Sequence, residues 1–276
     1  MENHTSKKTI ISNAKIAIFA QLITLMIGFF KSLIIPSLLT VTDFGYWQIY
    51  LLYLPYIGLF YWGFNDGIYL KYGGYDEKDL PYEKIRASTK CFFLLLIFES
   101  IILSLLLPFI STKNETKILL YVVLNISIQG IYGMMIYILQ ITNRIKKYSF
   151  FSIIDKIIFV LYLIAFALSE NRDYMSLIRA DILSRLIVTI FMIIQNKELF
   201  FGKQASIKEG FFEFKNNIEV GISLMLASFI SMLFTGAGKI FIANSSDITN
   251  YAYYSFGMSL INLLLVCFSS ISTVIY

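Results

Sequence analysis

The residues of this sequence best able to do chemistry are ionisable side chains inside long apolar runs. Six cations and four acids stand in such runs or at their edges: Lys15, Lys31, Lys156, Arg179, Arg185 and Lys239, and Glu99, Asp155, Asp181 and Glu219. A charge at the centre of a membrane helix costs about 2.5–3.5 kcal/mol on insertion scales, which makes each one a functional candidate. Because cations outnumber acids, a cavity that they line favours an anionic headgroup such as a phosphate.

Depth within the runs ranks these candidates. Lys31 ranks first, because it lies roughly 12 Å from the outer end of its run at 1.5 Å per residue. Glu99 lies near the middle of a run with no same-helix partner, which predicts that it is protonated or paired with a cation on another helix. Arg185 lies mid-run with Asp181 four residues earlier, a spacing that allows a local ion pair.

The remaining charges lie nearer the ends of their runs. Lys15 and Arg179 lie within reach of the interface, where long cationic side chains extend to water. Lys239 is open both to that interpretation and to a binding role. Asp155 and Lys156 are adjacent, so they point to different faces and need other partners.

A polar stripe follows the fourth run. Asn125, Gln129 and Tyr132 are spaced i, i+4 and i+7, which places them on one face of a helix. Hydrogen bonding between helices and the lining of a cavity explain this stripe equally well.

Membrane helices must position these side chains. The chain of 276 residues is 57% hydrophobic and 15% charged, with a mean hydropathy of +0.70, whereas a soluble domain carries about a quarter charged residues. The apolar runs cover residues 14–39, 46–66, 90–110, 117–141, 149–168, 175–195, 218–242 and 250–273. They are unbroken rather than alternating, which argues against a membrane β-barrel. The sequence predicts an all-α integral membrane protein of about eight transmembrane helices and excludes soluble enzymes, disulfide scaffolds and nucleic-acid modules.

Lys and Arg concentrate in alternate connections. Fourteen lie on one predicted side, in the N-terminal tail and residues 67–90, 142–148 and 196–217, and three lie on the other. Short cytoplasmic loops carry this excess, so we predict a cytoplasmic N-terminus. The first run is too long for a signal core and is predicted to stay uncleaved.

The sequence offers little for catalysis or metal binding. Cys91 and Cys267 both lie in apolar runs, and His4 is the one histidine. We therefore predict no disulfide framework, catalytic residue, metal site or cofactor.

Two further features concern the architecture. Pro36 and Pro55 are predicted to kink the first two helices. The first run, a turn with Asp43 and an aromatic segment recur as the seventh run, a turn with Asp247 and a second aromatic segment, although aromatic-belt hairpins in general share this pattern. The repeat predicts three parts: a six-helix lobe at 1–195, a cytoplasmic linker at 196–217 and the first two helices of a second lobe at 218–276.

Several short motifs carry a resemblance to a known family. They are Ser12-Asn13-Ala14, Thr42-Asp43-Phe44-Gly45-Tyr46-Trp47, Gly63-Phe64-Asn65-Asp66-Gly67, Gly238-Lys239 and Tyr251-Ala252-Tyr253-Tyr254. With them the chain resembles the bacterial polysaccharide flippases (Wzx-type) of the multidrug/oligosaccharidyl-lipid/polysaccharide exporter superfamily. The sequence departs from the family pattern in two ways. Gly238 stands where members often have an acid. Members also have twelve or fourteen helices in two lobes, whereas about eight are predicted here. The resemblance, together with the smaller number of helices, predicts that this chain is the N-terminal portion of such a protein.

The resemblance implies a function and a substrate. It implies translocation of an undecaprenyl-pyrophosphate-linked oligosaccharide to the outer leaflet of the bacterial cytoplasmic membrane, and contacts with other polysaccharide-assembly membrane proteins. The path lies between helices 1, 2, 7 and 8. The implied contacts are Lys31, Lys239 and Arg185 for the pyrophosphate, Tyr50, Tyr53, Trp62, Asn125 and Gln129 for sugars or the cavity, and Glu99 and Asp155 for a coupling ion.

Other functions remain open from the sequence. A drug/cation antiporter of the same superfamily would favour carboxylates in the first helix, where none precedes Asp43. A membrane enzyme of envelope polysaccharide synthesis would need a sizeable outer loop with an acid–base cluster. A non-catalytic scaffold would follow if essential helices are missing.

Overall fold

The protein is an all-helical bundle. The computed structural model describes the backbone of residues 7–111 and 113–275, and the side chains of residues 13, 15–109, 111 and 115–262. Among these residues the α-helices are α1 (Lys7–Leu38), α2 (Val41–Tyr53), α3 (Phe64–Lys71), α4 (Tyr82–Ile110), α5 (Lys113–Ile141), α6 (Ile145–Ala167), α7 (Tyr174–Gln195), α8 (Ile207–Ser245) and α9 (Ile248–Ile275). Short 3-10 helices cover Leu54–Tyr61, Glu77–Asp79 and Lys197–Leu199. The predicted all-α class is confirmed; the side chains of His4 and Cys267 lie outside the described residues.

The bundle has the surface of a membrane protein. Within the described residues, five segments are long and apolar enough to cross a membrane: Lys15–Leu38, Tyr82–Phe109, Glu115–Ile141, Ile145–Ala167 and Ile207–Ser245. Apolar side chains project outward from them, with Phe19 65%, Leu94 66% and Phe109 86% exposed. A monomer in water rarely exposes apolar surface on this scale. These observations indicate a multi-pass membrane protein, and the full number of eight spans stays a prediction.

The connections predicted to be basic lie together at one end of the bundle, which we call the basic end. Arg144 from the α5–α6 connection lies 2.6 Å from the Glu77 carboxylate and 3.8 Å from that of Glu198. Arg86 at the start of α4 donates hydrogen bonds to the main-chain oxygens of Glu198 and Lys203. Charge-assisted hydrogen bonds therefore join the three predicted loops. The loops lie at the same end of the bundle, as loops on one side of a membrane must.

The second apolar run is interrupted rather than kinked. α2 ends at Tyr53, a 3-10 helix covers Leu54–Tyr61, and Trp62 and Gly63 adopt left-handed conformations (φ 51° and 79°) before α3 begins. Pro55 lies in the first turn of the 3-10 helix, where its missing N–H leaves no α-helical bond to break. The prediction of one helix over 46–66, kinked at Pro55, is therefore wrong, because two α-helices and a 3-10 helix cover this run. We call the interruption at residues 54–63 the break.

Local capping explains how two hairpins begin at the end opposite the basic end. Thr40 caps α2 by accepting a hydrogen bond from the Asp43 N–H at 3.1 Å. Asp247, before α9, accepts from the Asn250 N–H at 2.8 Å. Each hairpin has a two-residue connection, at 39–40 and 246–247. Asp43 is therefore the third residue of a helix, whereas Asp247 is itself the cap, so the two acids of the predicted repeat occupy different positions.

The interrupted second run packs along both α8 and α9. At the basic end, Lys71 on α3 lies 2.6 Å from Glu213 on α8. At the opposite end, the Tyr251 hydroxyl on α9 donates to the main-chain oxygen of Gln48 on α2 at 3.2 Å. α8 begins at Ile207, inside the predicted linker, and its 39 residues extend roughly 58 Å. α2, the break and α3 thus form a wall of the α1–α7 part against which the α8–α9 hairpin packs.

Candidate functional site

The deep charges from three helices converge on one cavity of about 320 Å³. We call it the charged cavity. Its charged lining comprises Lys31 from α1, Asp155 and Lys156 from α6, and Asp181 and Arg185 from α7. α2 contributes Trp47 and Gln48 to the wall, and α9 contributes Ser259. The site therefore involves elements on both sides of the interrupted run.

Arg185 is fixed at one end of the charged cavity by contacts to other helices. Its Nη2 lies 3.1 Å from Asp155 Oδ2, its Nη1 donates to Gln129 Oε1 at 3.1 Å, and its guanidinium lies 4.9 Å from the ring centre of Tyr132. The local ion pair allowed between Asp181 and Arg185 is not formed. The Arg185 guanidinium is already paired with Asp155 on α6. The Asp181 carboxylate instead faces Lys31 on α1 and Tyr50 on α2.

Asp181 is held by hydrogen bonds from the opposite wall. The Tyr50 hydroxyl donates to Asp181 Oδ2 at 2.9 Å, and Asn125 Nδ2 donates to the Tyr50 hydroxyl at 3.2 Å. Lys31 Nζ lies 4.0 Å from Asp181 Oδ1 and 3.7 Å from the ring centre of Phe159. At 4.0 Å the lysine and the carboxylate interact as charges but share no hydrogen bond. Lys31 is thus the cation with the weakest acidic partner in the cavity.

The cavity carries a small excess of positive charge. Three cations and two acids line it, so its formal charge is +1. The excess predicted from sequence was larger because it counted cations that lie elsewhere: the Lys15 side chain is exposed, and that of Arg179 is 53% exposed. Lys156 shares Asp155 with Arg185, its Nζ lying 3.2 Å from Asp155 Oδ1. One negative charge would neutralise the cavity itself.

Lys239 lies in a separate cavity of about 260 Å³ between the break, α8 and α9. Leu51 lines both this cavity and the charged cavity, so the two cavities adjoin at α2. No acid lines the Lys239 cavity, and within the described residues Lys239 has no ion pair. Lys31 and Lys239 stand nine and eight residues before the Thr40 and Asp247 caps, which places them at similar depth.

Other predicted site residues are placed differently. Tyr50 and Asn125 are fully buried and hold Asp181, so in this conformation they support the cavity instead of facing a sugar. Tyr53 is partly buried against the core, away from the charged cavity. Gln129 is reached by Arg185 and also lines a further cavity, described below.

The two predicted ion-coupling acids are both engaged. Asp155 is 2% exposed and has two cationic partners, Lys156 and Arg185. Glu99 Oε1 accepts a hydrogen bond from Trp62 Nε1 at 2.6 Å, while its Oε2 is buried without a hydrogen-bond partner. Its partner is an indole and not the cation that we considered. Trp62, predicted to face a sugar, is 49% exposed beside Glu99 and away from the charged cavity.

A third cavity, of about 520 Å³, lies against the break and was missed from the sequence. We call it the break cavity; α5 and α8 form its other walls. Its polar lining is Tyr61, Asn65, Asp66, Gln129, Tyr132, Tyr137 and Ser228. The signal that could have revealed it is the concentration of Pro55, Gly58 and Gly63 in one apolar run, since interrupted membrane helices line cavities.

Comparison with known proteins identifies no relative. No protein-family model, no curated protein and no solved structure gives a significant match to this chain. In the described part of the chain, no three His, Cys, Asp or Glu side chains come close enough together to hold a metal ion. What the arrangement offers chemically is charge recognition, with a cavity of net positive charge beside α2 and a cavity lined by one acid, Asp66, beside the break.

Proposed function

We propose that this protein translocates a lipid-linked oligosaccharide across the cytoplasmic membrane of a bacterium, for cell-surface polysaccharide biosynthesis. The observation that carries the proposal is the charged cavity, where Lys31, Lys156 and Arg185 from three helices meet only two acids. An excess of positive charge in a partly buried cavity favours a compensating anion. The pyrophosphate of a polyprenyl carrier supplies that anion together with an apolar chain that partitions into lipid.

Lys31 is the proposed first contact of the pyrophosphate. A lysine and a phosphate about 4 Å apart gain roughly 4 kcal/mol at an effective dielectric constant of 20, before desolvation. The 4.0 Å separation from Asp181 leaves all three Nζ hydrogens free of that carboxylate. Arg185, which is held by Asp155 and Gln129, adds positive electrostatic potential from one end of the charged cavity.

The dimensions and position of the charged cavity suit a headgroup. A volume of about 320 Å³ is at the lower end of the range for small-molecule sites, so we assign it to the pyrophosphate and the nearest sugar. Lys239, at similar depth in the adjoining cavity, is the proposed second contact after the substrate moves. In this proposal α1–α7 form one lobe with six membrane spans, α8 and α9 begin a second, and the two rock around the site.

The membrane arrangement proposed for this function has eight spans with the basic end in the cytoplasm. The second span would be α2, the break and α3 together, and the sixth and eighth would be α7 and α9. The excess of Lys and Arg at the basic end supports this orientation. The proposal accordingly has the N-terminus in the cytoplasm.

Substitution of Lys31 tests the proposal directly. The chain is reconstituted in nanodiscs for binding of farnesyl pyrophosphate, and in proteoliposomes for movement of a fluorescent polyprenyl-pyrophosphate oligosaccharide between leaflets. Lys31→Ala is expected to weaken binding by about tenfold or more and to abolish movement. Lys15→Ala, on the exposed part of the same helix, is the matched control and should leave both unchanged. Equal binding by Lys31→Ala and the wild type would refute the assignment.

A drug/cation antiporter is the second candidate, and one observation favours it. Asp66 lines the break cavity with no Lys or Arg within ion-pair distance among the described residues. An acid of this kind suits a cationic substrate. Binding of an organic cation such as ethidium that is lost in Asp66→Asn, with no binding of farnesyl pyrophosphate, would favour the antiporter over the flippase.

A further inference from the structure

We infer that the break cavity binds an alkali-metal cation, with the Asp66 carboxylate and the Asn65 side-chain oxygen as its ligands. Both residues line the cavity of about 520 Å³ between the break, α5 and α8. Both lie in the first turn of α3, directly after the left-handed residues Trp62 and Gly63. The binding itself is independent of the proposed function; only its role in transport rests on that function.

Asn65 presents an oxygen that nothing in the protein satisfies. The residue is 4% exposed, and its Nδ2 donates to the main-chain oxygen of Gly130 at 3.1 Å. Because a carbonyl only accepts hydrogen bonds, this contact fixes the amide orientation and identifies the other atom as the oxygen. Asn65 Oδ1 is buried and has no hydrogen-bond partner. A buried acceptor of this kind is costly unless a donor or a cation reaches it.

Asp66 supplies the charge that the site needs. It is the one charged residue among those that line the break cavity, and no ion pair joins it to a Lys or Arg within the described residues. The neutral hydroxyls of Tyr61 and Tyr137 line the same cavity. A single carboxylate is balanced by a single positive charge, and the carboxylate, amide and hydroxyl oxygens of the lining are ligands of the hard type that alkali and alkaline-earth ions prefer. The charge balance therefore favours a monovalent ion over Ca²⁺ or Mg²⁺.

The break explains why such a site exists at this depth. Non-helical backbone inside a membrane protein is tolerated where it is buried or lines a cavity. Residues Pro55 and Gly58 of the 3-10 helix line the break cavity, as the unwound segments of interrupted helices do around ions in other transporters. The break thus forms one wall of the cavity that Asp66 lines.

Two side chains connect this site to the charged cavity. Gln129 and Tyr132 line the break cavity, while Gln129 accepts a hydrogen bond from Arg185 and the Tyr132 ring lies under its guanidinium. A cation in the break cavity and an anion near Arg185 would therefore act on the same two residues. On the proposed function, this connection is the route by which an ion gradient would drive substrate movement.

Direct ion binding tests the site. The full chain in nanodiscs is incubated with ²²Na⁺ in choline buffer, and binding is competed with unlabelled Na⁺ and, separately, with K⁺, which distinguishes the two ions. We expect saturable binding that Asp66→Asn and Asn65→Leu each weaken by about tenfold or more. Asp79→Asn, the same substitution at an exposed surface acid, should bind as the wild type does.

The wild-type measurement keeps the inference falsifiable even if a variant does not fold. Absence of saturable binding of either ion up to about 0.15 M salt, or binding that Asp66→Asn leaves unchanged in a folded protein, would overturn it. Cation binding without movement of the lipid-linked oligosaccharide would retain the site and reject the proposed function. Movement of the oligosaccharide without cation binding would reject the cation site and retain the proposed function.

Discussion

Gly67 on α3 and Gly221 on α8 face each other across a backbone contact that has no room for a side chain. A β-carbon added to Gly221 would overlap the main chain of Gly63 and Gly67, and one added to Gly67 would overlap the main chain of Asn217. Small residues allow membrane helices this close approach. The close packing of α3 against α8 therefore depends on glycine at these positions.

Gly67→Ala is predicted to destabilise the protein. The new methyl group meets backbone and not a flexible side chain, so α3 and α8 must separate, and overpacking of this kind costs about 1–3 kcal/mol. We expect the midpoint of thermal unfolding in detergent to fall by roughly 5 °C or more. Gly28→Ala on α1 is the control, since nothing lies within 4 Å of its added carbon. An unchanged midpoint for Gly67→Ala would contradict the close contact.

The elements of the fold were largely predictable, and the exception is instructive. Five of the predicted apolar runs coincide with helices that are long and apolar enough to cross a membrane, because uninterrupted hydrophobicity identifies such helices. The interruption after Tyr53 was not predicted. Proline alone indicates a kink, whereas the left-handed residues Trp62 and Gly63 depend on the close packing of Gly63 against α8. Such a contact between distant segments leaves no periodic signal.

Asp155→Asn is predicted to destabilise the protein and to strengthen its response to anions. Asp155 is 2% exposed and is the acid closest to both Arg185 and Lys156. Removal of one partner from a buried ion pair costs about 3–5 kcal/mol, because it leaves charge uncompensated. We expect the unfolding midpoint to fall by about 10 °C. Pyrophosphate should then raise the midpoint of the variant more than that of the wild type.

A second substitution checks that charge is the cause. Asp155→Asn combined with Arg185→Gln removes one cation together with the acid, so part of the lost stability should return. Asp79→Asn, at an exposed surface acid, should change neither the midpoint nor its response to pyrophosphate. A double variant less stable than Asp155→Asn alone would indicate that shape, and not charge balance, governs this position.

The members of the charged cavity were predictable, but their pairing was not. Lys31, Asp155, Asp181 and Arg185 were recognised because charge deep in an apolar run is expensive. The i, i+4 spacing suggested that Asp181 would bind Arg185. In the structure Asp181 instead contacts Tyr50 on α2, and Arg185 contacts Asp155 on α6. Spacing along one helix describes an isolated helix, whereas in the bundle Tyr50 offers Asp181 a hydrogen bond from the facing wall.

Glu213→Gln is predicted to loosen the basic end of the wall. Glu213 is 4% exposed, lies 2.6 Å from Lys71 Nζ and accepts a hydrogen bond from the Tyr72 hydroxyl. Hydrogen bonds to a charged group contribute about 1.5–3 kcal/mol. We expect amide hydrogen exchange in α3 to become about tenfold faster or more. In Glu219→Gln, which affects only an exposed pair with Lys215, exchange in α3 should stay at the wild-type rate.

Reporter fusions are predicted to locate the basic end in the cytoplasm. Residues 78 and 203 belong to connections that Arg86 and Arg144 join at one end of the bundle, so both must lie on the same side of the membrane. Residue 114, near the start of α5, lies at the other end. Fourteen basic residues near the basic end and three near the other predict that the basic end is cytoplasmic.

The measurement uses two reporters with opposite requirements. Green fluorescent protein inserted after residue 78 or 203 is expected to fluoresce, and alkaline phosphatase at either position is expected to be inactive. Alkaline phosphatase after residue 114 should be active, because its disulfides form only outside the cytoplasm. Opposite results for residues 78 and 203 would contradict the joined loops themselves, whereas inversion of all three would reverse the orientation and leave the fold intact.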